Sequence, residues 1–384
     1  MSMSKKLIYL TYQTFPADTA NSLQTITMLK YFSHSNYQVK LIFPDRSANS
    51  SGELEILQKH YNFEEPFEVE MSKHNFPFKD YKGKAYFKKF RFHISHYLWS
   101  KNIVKKVLMD NDSDIYFFTR SDWIFYFLSK QDKNVTFECH QASKIRKFVI
   151  SRSIKHPNSK IIFTNELLMN DLVNKSLFDS KILVAHNSYD GDLFKGKNKK
   201  PVHNKVIFVG NLLRFDENRG IDFLIDVFND ERLNQHTLEI IGGPESVKNE
   251  LKRKIKNSNI KLSGRKNRTE TIEGMLNSYV GVLINSSNNI HSTHHTSPLK
   301  FFEYLRAGLN VVAVDFKSHK NLPFSKQVYF FKDKNSESLI EAILKASNDA
   351  LNAYGGLDKY SYEERANKIL QFIARPEGLE PPTL

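Results

Sequence analysis

Lys300 and Glu303 stand three residues apart inside the segment HHTSPLKFFEYLRAGLNVVAV, which runs from His294 to Val314. Ser297 suits a helix N-cap, Pro298 the first helical position and Gly308 the stop, so the spacing predicts a helix between them. At about 100° per residue, Phe301, Phe302 and Leu305 share one face, while Lys300, Glu303 and Ala307 form a narrow stripe away from it. A helix start carries uncommitted N–H groups and a partial positive charge, worth ~0.3–2 kcal/mol to a nearby anion. Lys300 adds a full charge at that end. The chemistry this permits is a diphosphate seated at the helix start beside Lys300, with Glu303 one turn deeper accepting from two vicinal hydroxyls. Diphosphate followed by vicinal hydroxyls describes a nucleotide-sugar. A solvated Lys–Glu pair, worth ~0.2–0.5 kcal/mol, is the commoner arrangement at this spacing, and on spacing alone both readings stay open.

The elements that would position such a helix are legible as short apolar runs. KLIYLTY, YQVKLIFP, DIYFFTR, NVTFECH, SKIIFTN and SKILVAHN mark strands in the first half, and KVIFVGN, HTLEIIGG, NIKLSG, GVLINSS, NVVAVD and QVYFF repeat the pattern in the second. Strands alternating with helical stretches predict an α/β protein of two doubly wound, parallel-sheet domains. The expected boundaries are a first domain over 1–190, a polar basic linker over 191–204 and a second domain over 205–357. A helix over 358–375 is expected to pack back toward the first domain, and a proline-rich disordered tail follows over 376–384. Of the 15 glycines only Gly52 and Gly83 precede residue 190. Gly210, Gly242, Gly243 and Gly264 fall just past predicted strands, at the carboxyl ends where open α/β sheets bind ligands.

At 384 residues, with 40% hydrophobic and 26% charged content, the chain has the composition of two globular domains rather than a disordered one. One cysteine excludes an internal disulfide and fits a reducing compartment. The N-terminus reads as a first strand rather than a signal peptide, and no run approaches the ~20 apolar residues of a membrane span. The expected location is therefore the cytoplasm. The net charge of +14 favours anionic partners. Between Lys73 and Lys106 ten Lys or Arg residues face one acid, Asp80, with aromatics interleaved. Such a stretch suits the anionic headgroups on the inner face of a membrane, and equally suits a solvated face whose aromatics are core.

Other constellations carry less. Asp112-Ser113-Asp114 precedes the strand IYFFTR instead of following one, so it reads as a turn and not as a metal-binding D-x-D. Cys139 and His140 are adjacent in a strand and so point to opposite faces, which makes the thiol a buried, inert one. His291, His294 and His295 lack the carboxylate or thiol companions of a zinc site, and no metal is expected.

The segment TSPLKFFEYLRAGLNVVAV resembles the donor-site helix of the retaining GT-B glycosyltransferases of group 1 (family 4), whose pattern is S-P-x-K-x-x-E-Y-x-A-x-G-x-P-V-V. KVIFVGNLLRFDENRGIDFLIDVF is similar to that family's strand, glycine and basic loop. LEIIGGPES and IKLSGRKNRTETIEGMLNSYVGVLIN resemble its next two sheet units, ILVAHNSYDGDLF its interdomain turn, and TFECHQ its first-domain strand ending in a histidine. The likeness is clear over 205–314 and weak in the first half.

The resemblance implies a GT-B fold, two Rossmann-like domains facing a central cleft. It implies that Glu303 holds the ribose, that the backbone of Pro298, Leu299 and Lys300 holds the phosphates through the N–H groups of Leu299 and Lys300, and that Arg219 is the phosphate-neutralising cation. Gly210, Gly242, Gly243 and Ser297 would line the donor site, Arg265 and Lys266 would flank the nucleobase, and His140 would face the transferred sugar. Three departures stand out. His295 occupies the place of a second glutamate eight residues before Glu303. Asn211 replaces the usual arginine, a charge Arg214 could restore. Ala20, Asn21 and Ser22 stand in for the first domain's glycine-rich loop.

The implied activity is retaining transfer of a hexose-type sugar from a nucleotide-diphosphate-sugar to a glycan or lipid-linked acceptor in cell-envelope polysaccharide synthesis. Arg219 and Lys300 would stabilise the departing diphosphate without a metal or other cofactor. A nucleotide-sugar epimerase of the same fold and a non-catalytic protein binding anionic surfaces through Lys73–Lys106 are the competing classes; nucleic acid is not the expected partner.

Overall fold

The computed structural model describes residues 5–78, 85–109, 115–214 and 217–375, and for 85–86, 214 and 217–218 the backbone alone. The expected turn at Asp112–Asp114, part of the basic stretch (79–84) and the expected tail lie outside the described residues. The chain forms two compact units, 1–185 with 365–384, and 186–364.

The first unit is built on strands β1 (Lys6–Leu10), β2 (Gln38–Pro44), β3 (Glu68–Ser72), β4 (Ile115–Thr119), β5 (Val135–Cys139), β6 (Ser159–Phe163) and β7 (Ile182–Val184). They make one parallel sheet in the order β3-β2-β1-β4-β5-β6-β7. Between them run α1 (Ala20–Ser33), α2 (Leu54–Tyr61), α3 (Ala85–Val107), α4 (Asp122–Ser129), α5 (Lys144–Ser153) and α6 (Glu166–Leu172). Central strands such as β5 are buried at every residue, because helices cover both sheet faces. The edge strand β3 escapes the apolar-run reading because its sequence, EVEMS, alternates acids with apolar residues and is only half buried.

The second unit repeats the design with β8 (Lys205–Val209), a short hairpin of β9 (Leu213–Arg214) and β10 (Glu217–Asn218), α7 (Ile221–Phe228), β11 (Thr237–Ile241), α8 (Glu245–Lys252), β12 (Ile260–Gly264), α9 (Arg268–Leu276) and β13 (Val280–Leu283). It continues with α10 (Leu299–Ala307), β14 (Asn310–Val314), α11 (Lys317–Lys320), β15 (Tyr329–Phe331) and α12 (Ser336–Asn348). The parallel sheet has the order β12-β11-β8-β13-β14-β15. Both sheets thus reverse direction at their first strand, between β1 and β4 and between β8 and β13. That reversal opens a crevice at the strands' carboxyl ends, the usual ligand position in this architecture.

The last helix, α13 (Tyr362–Ala374), starts in the second unit, where Tyr362 N–H donates to Tyr189 O at 2.9 Å. It finishes against the first unit's sheet. There Lys160 Nζ donates to the carbonyls of Phe372, Ile373 and Arg375 at 2.8, 3.1 and 2.7 Å, closing the helix's C-terminal end. No described helix is long and apolar enough to cross a membrane.

Candidate active site

Helix α10 is seated at the second unit's reversal point by one side chain. The Tyr304 hydroxyl accepts the Val209 N–H at 2.9 Å, at the end of β8, and donates to Val282 O on β13 at 3.5 Å. Its ring fits because residue 281 is glycine: a Cβ there would come within 2.6 Å of Tyr304 Cδ2. Phe301, Phe302 and Leu305 are fully buried on the same helix, each worth about 1.5–3 kcal/mol of burial.

The stripe of Lys300, Glu303 and Ala307 is buried too. Lys300 is 8% and Glu303 5% exposed, which removes the solvated-pair reading. The helix begins one residue later than its spacing suggests, with Pro298 as N-cap and no side-chain cap. Ser297 does not cap it, because its hydroxyl instead accepts the Asn187 N–H at 3.1 Å, and the Asn187 amide donates back to Ser297 O. Lys300 Nζ lies 3.8 Å above the centre of the Phe208 ring, a cation–π seat. Glu303 is held by Arg268, the first residue of α9, through a short charge-assisted bond from Nη2 to Oε1. Burial pulls the Arg268 guanidinium down, and the Glu303 charge and hydrogen bond outweigh it, leaving it raised.

Two cations converge on the end of β8. A Cβ placed on Gly210, whose φ is 138°, would stand 3.3 Å from Arg219 Nη1 and 3.4 Å from Lys300 Nζ. Arg219 is returned to this point by the β9–β10 hairpin, which accounts for the long loop after Asn211. Its N–H donates to Leu212 O at 3.3 Å, its Nη1 to Asn211 O at 3.4 Å and its Nε to Asn285 Oδ1, just past β13, at 2.9 Å. Arg214 lies on β9 and its side chain is outside the described residues. Gly242 packs directly on the same turn, since a Cβ there would meet Gly210 O at 1.9 Å.

The remaining expected donor residues have partners of their own. Lys266 donates to Glu239 Oε1 at 2.8 Å, a buried carboxylate that also binds Lys205 at 2.9 Å and Ser263 Oγ at 2.7 Å. Burial raises the Glu239 pKa, and those partners outweigh burial to hold it at about 2. Arg265 is exposed and packs along Gly243, where a Cβ would approach its Nε to 3.0 Å. His295 is buried in a π-helical turn over His291–His295. Among the described residues, no group of three or more His, Cys, Asp or Glu side chains is arranged to hold a metal.

In the first unit, His140 follows β5 with its Nε2 3.3 Å from Glu138 Oε2. Glu138 is fully buried against Arg365 and 4.0 Å from Arg120 Nε, and those cations outweigh burial to hold it ionised. Burial lowers the His140 pKa to about 4, so the ring is neutral at pH 7. Arg120 also fastens the start of α1, donating to Asn21 O at 3.2 Å and Asn21 Oδ1 at 3.1 Å. Ala20 is exposed on the helix, and Ser22 N–H donates to the capping Thr19 hydroxyl at 3.1 Å. Cys139 is buried and its thiol is pushed up to about 11 by burial, an inert group. Arg268, Arg120, Glu138 and Arg365 carry no motif of their own; only the fold brings them to these sites.

Residues 203–349 match the family model described as Glycosyl transferases group 1. No curated protein sequence matches the chain. Among solved structures, TarM shares a TM-score of 0.67 at 14% identity, covering 97% of this chain and 99% of that one. Sucrose-phosphate synthase from Thermosynechococcus elongatus shares 0.64 at 13% identity over 96% and 98% of the two chains. WaaG, a glycosyltransferase involved in lipopolysaccharide biosynthesis, shares 0.52 at 10% identity over 95% of both. At these identities the structural likeness speaks for the fold, which is the GT-B fold of two Rossmann-like domains.

Proposed function

We propose that the protein is a retaining, metal-independent glycosyltransferase that moves a hexose-type sugar from a nucleotide-diphosphate-sugar to a glycan or lipid-linked acceptor. The observation that carries this reading is the convergence of Arg219 and Lys300 on Gly210, at the reversal point of a domain matched by the group 1 family model. Breaking the bond between the sugar and its diphosphate leaves negative charge on the phosphates. Two fixed cations and the uncapped amides of α10 offer that charge a prepared setting. Glu303, held in place by Arg268, would accept from the ribose hydroxyls, and neutral His140 would orient the transferred sugar. The S. aureus TarM structure that shares a TM-score of 0.64 with this chain contains UDP, which favours a nucleoside diphosphate as the leaving group here as well.

A lipid-linked acceptor and a role in cell-envelope polysaccharide synthesis fit the surface of α3. Phe87 and Phe90 are 53% and 58% exposed, beside exposed Lys88 and Lys89, whereas Trp99 and Ile103 on the same helix are core. Such a face suits peripheral contact with anionic headgroups on the cytoplasmic side. The functional test is turnover: a panel of nucleotide-sugars is screened for thermal stabilisation, and each stabilising donor is incubated with a glycan and a lipid-linked acceptor. Release of nucleoside diphosphate coupled to a glycosylated acceptor supports the proposal. Isomerised nucleotide-sugar without acceptor dependence would assign an epimerase instead.

A further inference from the structure

Outside the residues already assigned, the carboxyl ends of β3, β2, β1 and β4 carry a second polar cluster, made of His74, Arg46, Tyr12 and Ser121, with His96 from α3. The Tyr12 ring is its centre. His96 stacks on it with ring centroids 4.6 Å apart, and the Arg46 guanidinium lies 4.6 Å from its centroid. The Tyr12 hydroxyl meets His74 Nε2 at 2.9 Å and Ser95 Oγ at 2.6 Å, so the ring cannot swing away. Arg46 is pinned at one end only, Nε donating to Tyr12 O at 3.1 Å. Among the described residues no carboxylate forms an ion pair with it: Asp122 faces His96 at 3.7 Å and Arg146 at 3.8 Å, and the neighbouring Asp45 is exposed.

A half-buried cation with no ion-pair partner among the described residues is costly unless something anionic completes it. The two histidines beside it add no charge of their own. Burial, reinforced for His74 by Arg46, lowers the pKa of His74 and His96 to about 4, so both rings are neutral at pH 7. The Tyr12 ring and the Nε bond hold the guanidinium at this point, and its Nη1 and Nη2 fork has the geometry that matches a phosphate or carboxylate.

We propose that Arg46, lying over the Tyr12 ring at the carboxyl ends of β1 and β2, is an anion-recognition site that selects an acceptor bearing a phosphate monoester or a carboxylate. The word acceptor rests on the glycosyltransferase reading above; the anion site does not.

The test uses the full chain and saturation-transfer NMR titrations with three probes: glucose 6-phosphate, glucuronate and glucose. Glucose 6-phosphate, glucuronate or both should bind at least tenfold more tightly than glucose, with the stronger of the two naming the anion, and the advantage should shrink between 50 and 300 mM salt. Arg46→Gln should lose it at least tenfold, and Arg46→Lys, which keeps charge but not the fork, should lose part of it. Near-ultraviolet circular dichroism and the fluorescence of buried Trp99 report whether each variant is folded; should Arg46→Gln misfold, Arg46→Lys and the salt series decide. Equal binding of glucose and both anionic sugars, or unchanged binding in folded Arg46→Gln, overturns the proposal. Nucleoside diphosphate titrated in parallel separates the two readings. If it binds while no Arg46-dependent anion binding is seen, this inference alone fails. The opposite result sinks the donor-site reading alone.

Discussion

Arg268 on α9 donates to Glu303 on α10, while Lys300, one turn earlier on α10, lies over the ring of Phe208 at 3.8 Å. The two charges of the helix are thus separated in role. Lys300 belongs with Arg219 at the end of β8, and Glu303 belongs with α9. If the carboxylate holds a ribose, Arg268 is the residue that keeps it oriented. Replacing Glu303 by Gln should cut turnover by about 10²–10³-fold with the fold intact, the size of effect seen when one prepared polar contact is removed. Arg268→Ala should raise the donor KM and also lower stability by about 2 kcal/mol, less than a fully buried pair costs because Arg268 is partly exposed. Steady-state kinetics and denaturant unfolding of both variants check this.

The seat of α10 depends on the empty space at Gly281. Gly281→Ala should destabilise the second unit by about 1–3 kcal/mol through overpacking against Tyr304. Combining it with Tyr304→Leu should be strongly non-additive, because the two residues share one contact. Unfolding midpoints of the single and double variants measure the coupling.

The acid limb of stability should differ between the units. His74, His96 and His140 have pKa values lowered by burial to about 4, below the ordinary 6.5. A histidine whose folded pKa is depressed binds protons more readily when unfolded. Stability is therefore full above about pH 6.5 and falls as pH drops from 6.5 to 4. Both tryptophans, Trp99 and Trp123, lie in the first unit, so fluorescence-detected unfolding should show that unit losing stability over this window. His96→Gln should flatten the dependence.

If α3 contacts membranes, Phe87→Ser with Phe90→Ser should reduce sedimentation with vesicles containing anionic lipid severalfold, and leave turnover of a water-soluble acceptor unchanged. Equal sedimentation of the variant would return these residues to the status of ordinary exposed aromatics.

Much of the fold was legible because buried parallel strands read as short apolar runs between turn residues; KVIFVGN and SKIIFTN need no tertiary information. What escaped was polar and distant. Strand β3 is an edge with acids at alternate positions, and β9–β10 is too short to carry a pattern. Arg268 stands one helical turn past Arg265, and nothing in its neighbourhood says that it meets a carboxylate 35 positions on. Ser297 has the right chemistry for a cap, yet Asn187, 110 residues earlier in the chain, claims its hydroxyl. Spacing marked Lys300 and Glu303 as a pair; packing gave each a different neighbour.

The central claim is that Arg219 and Lys300 jointly hold a diphosphate at Gly210. Calorimetric titration of UDP, GDP and ADP into the full chain, into Lys300→Met and into Arg219→Gln tests it most directly. One nucleotide should bind with a single site per chain, and each variant should weaken it at least tenfold while remaining folded. Binding of equal strength in both folded variants, or no binding of any diphosphate to the unaltered protein, would contradict the account.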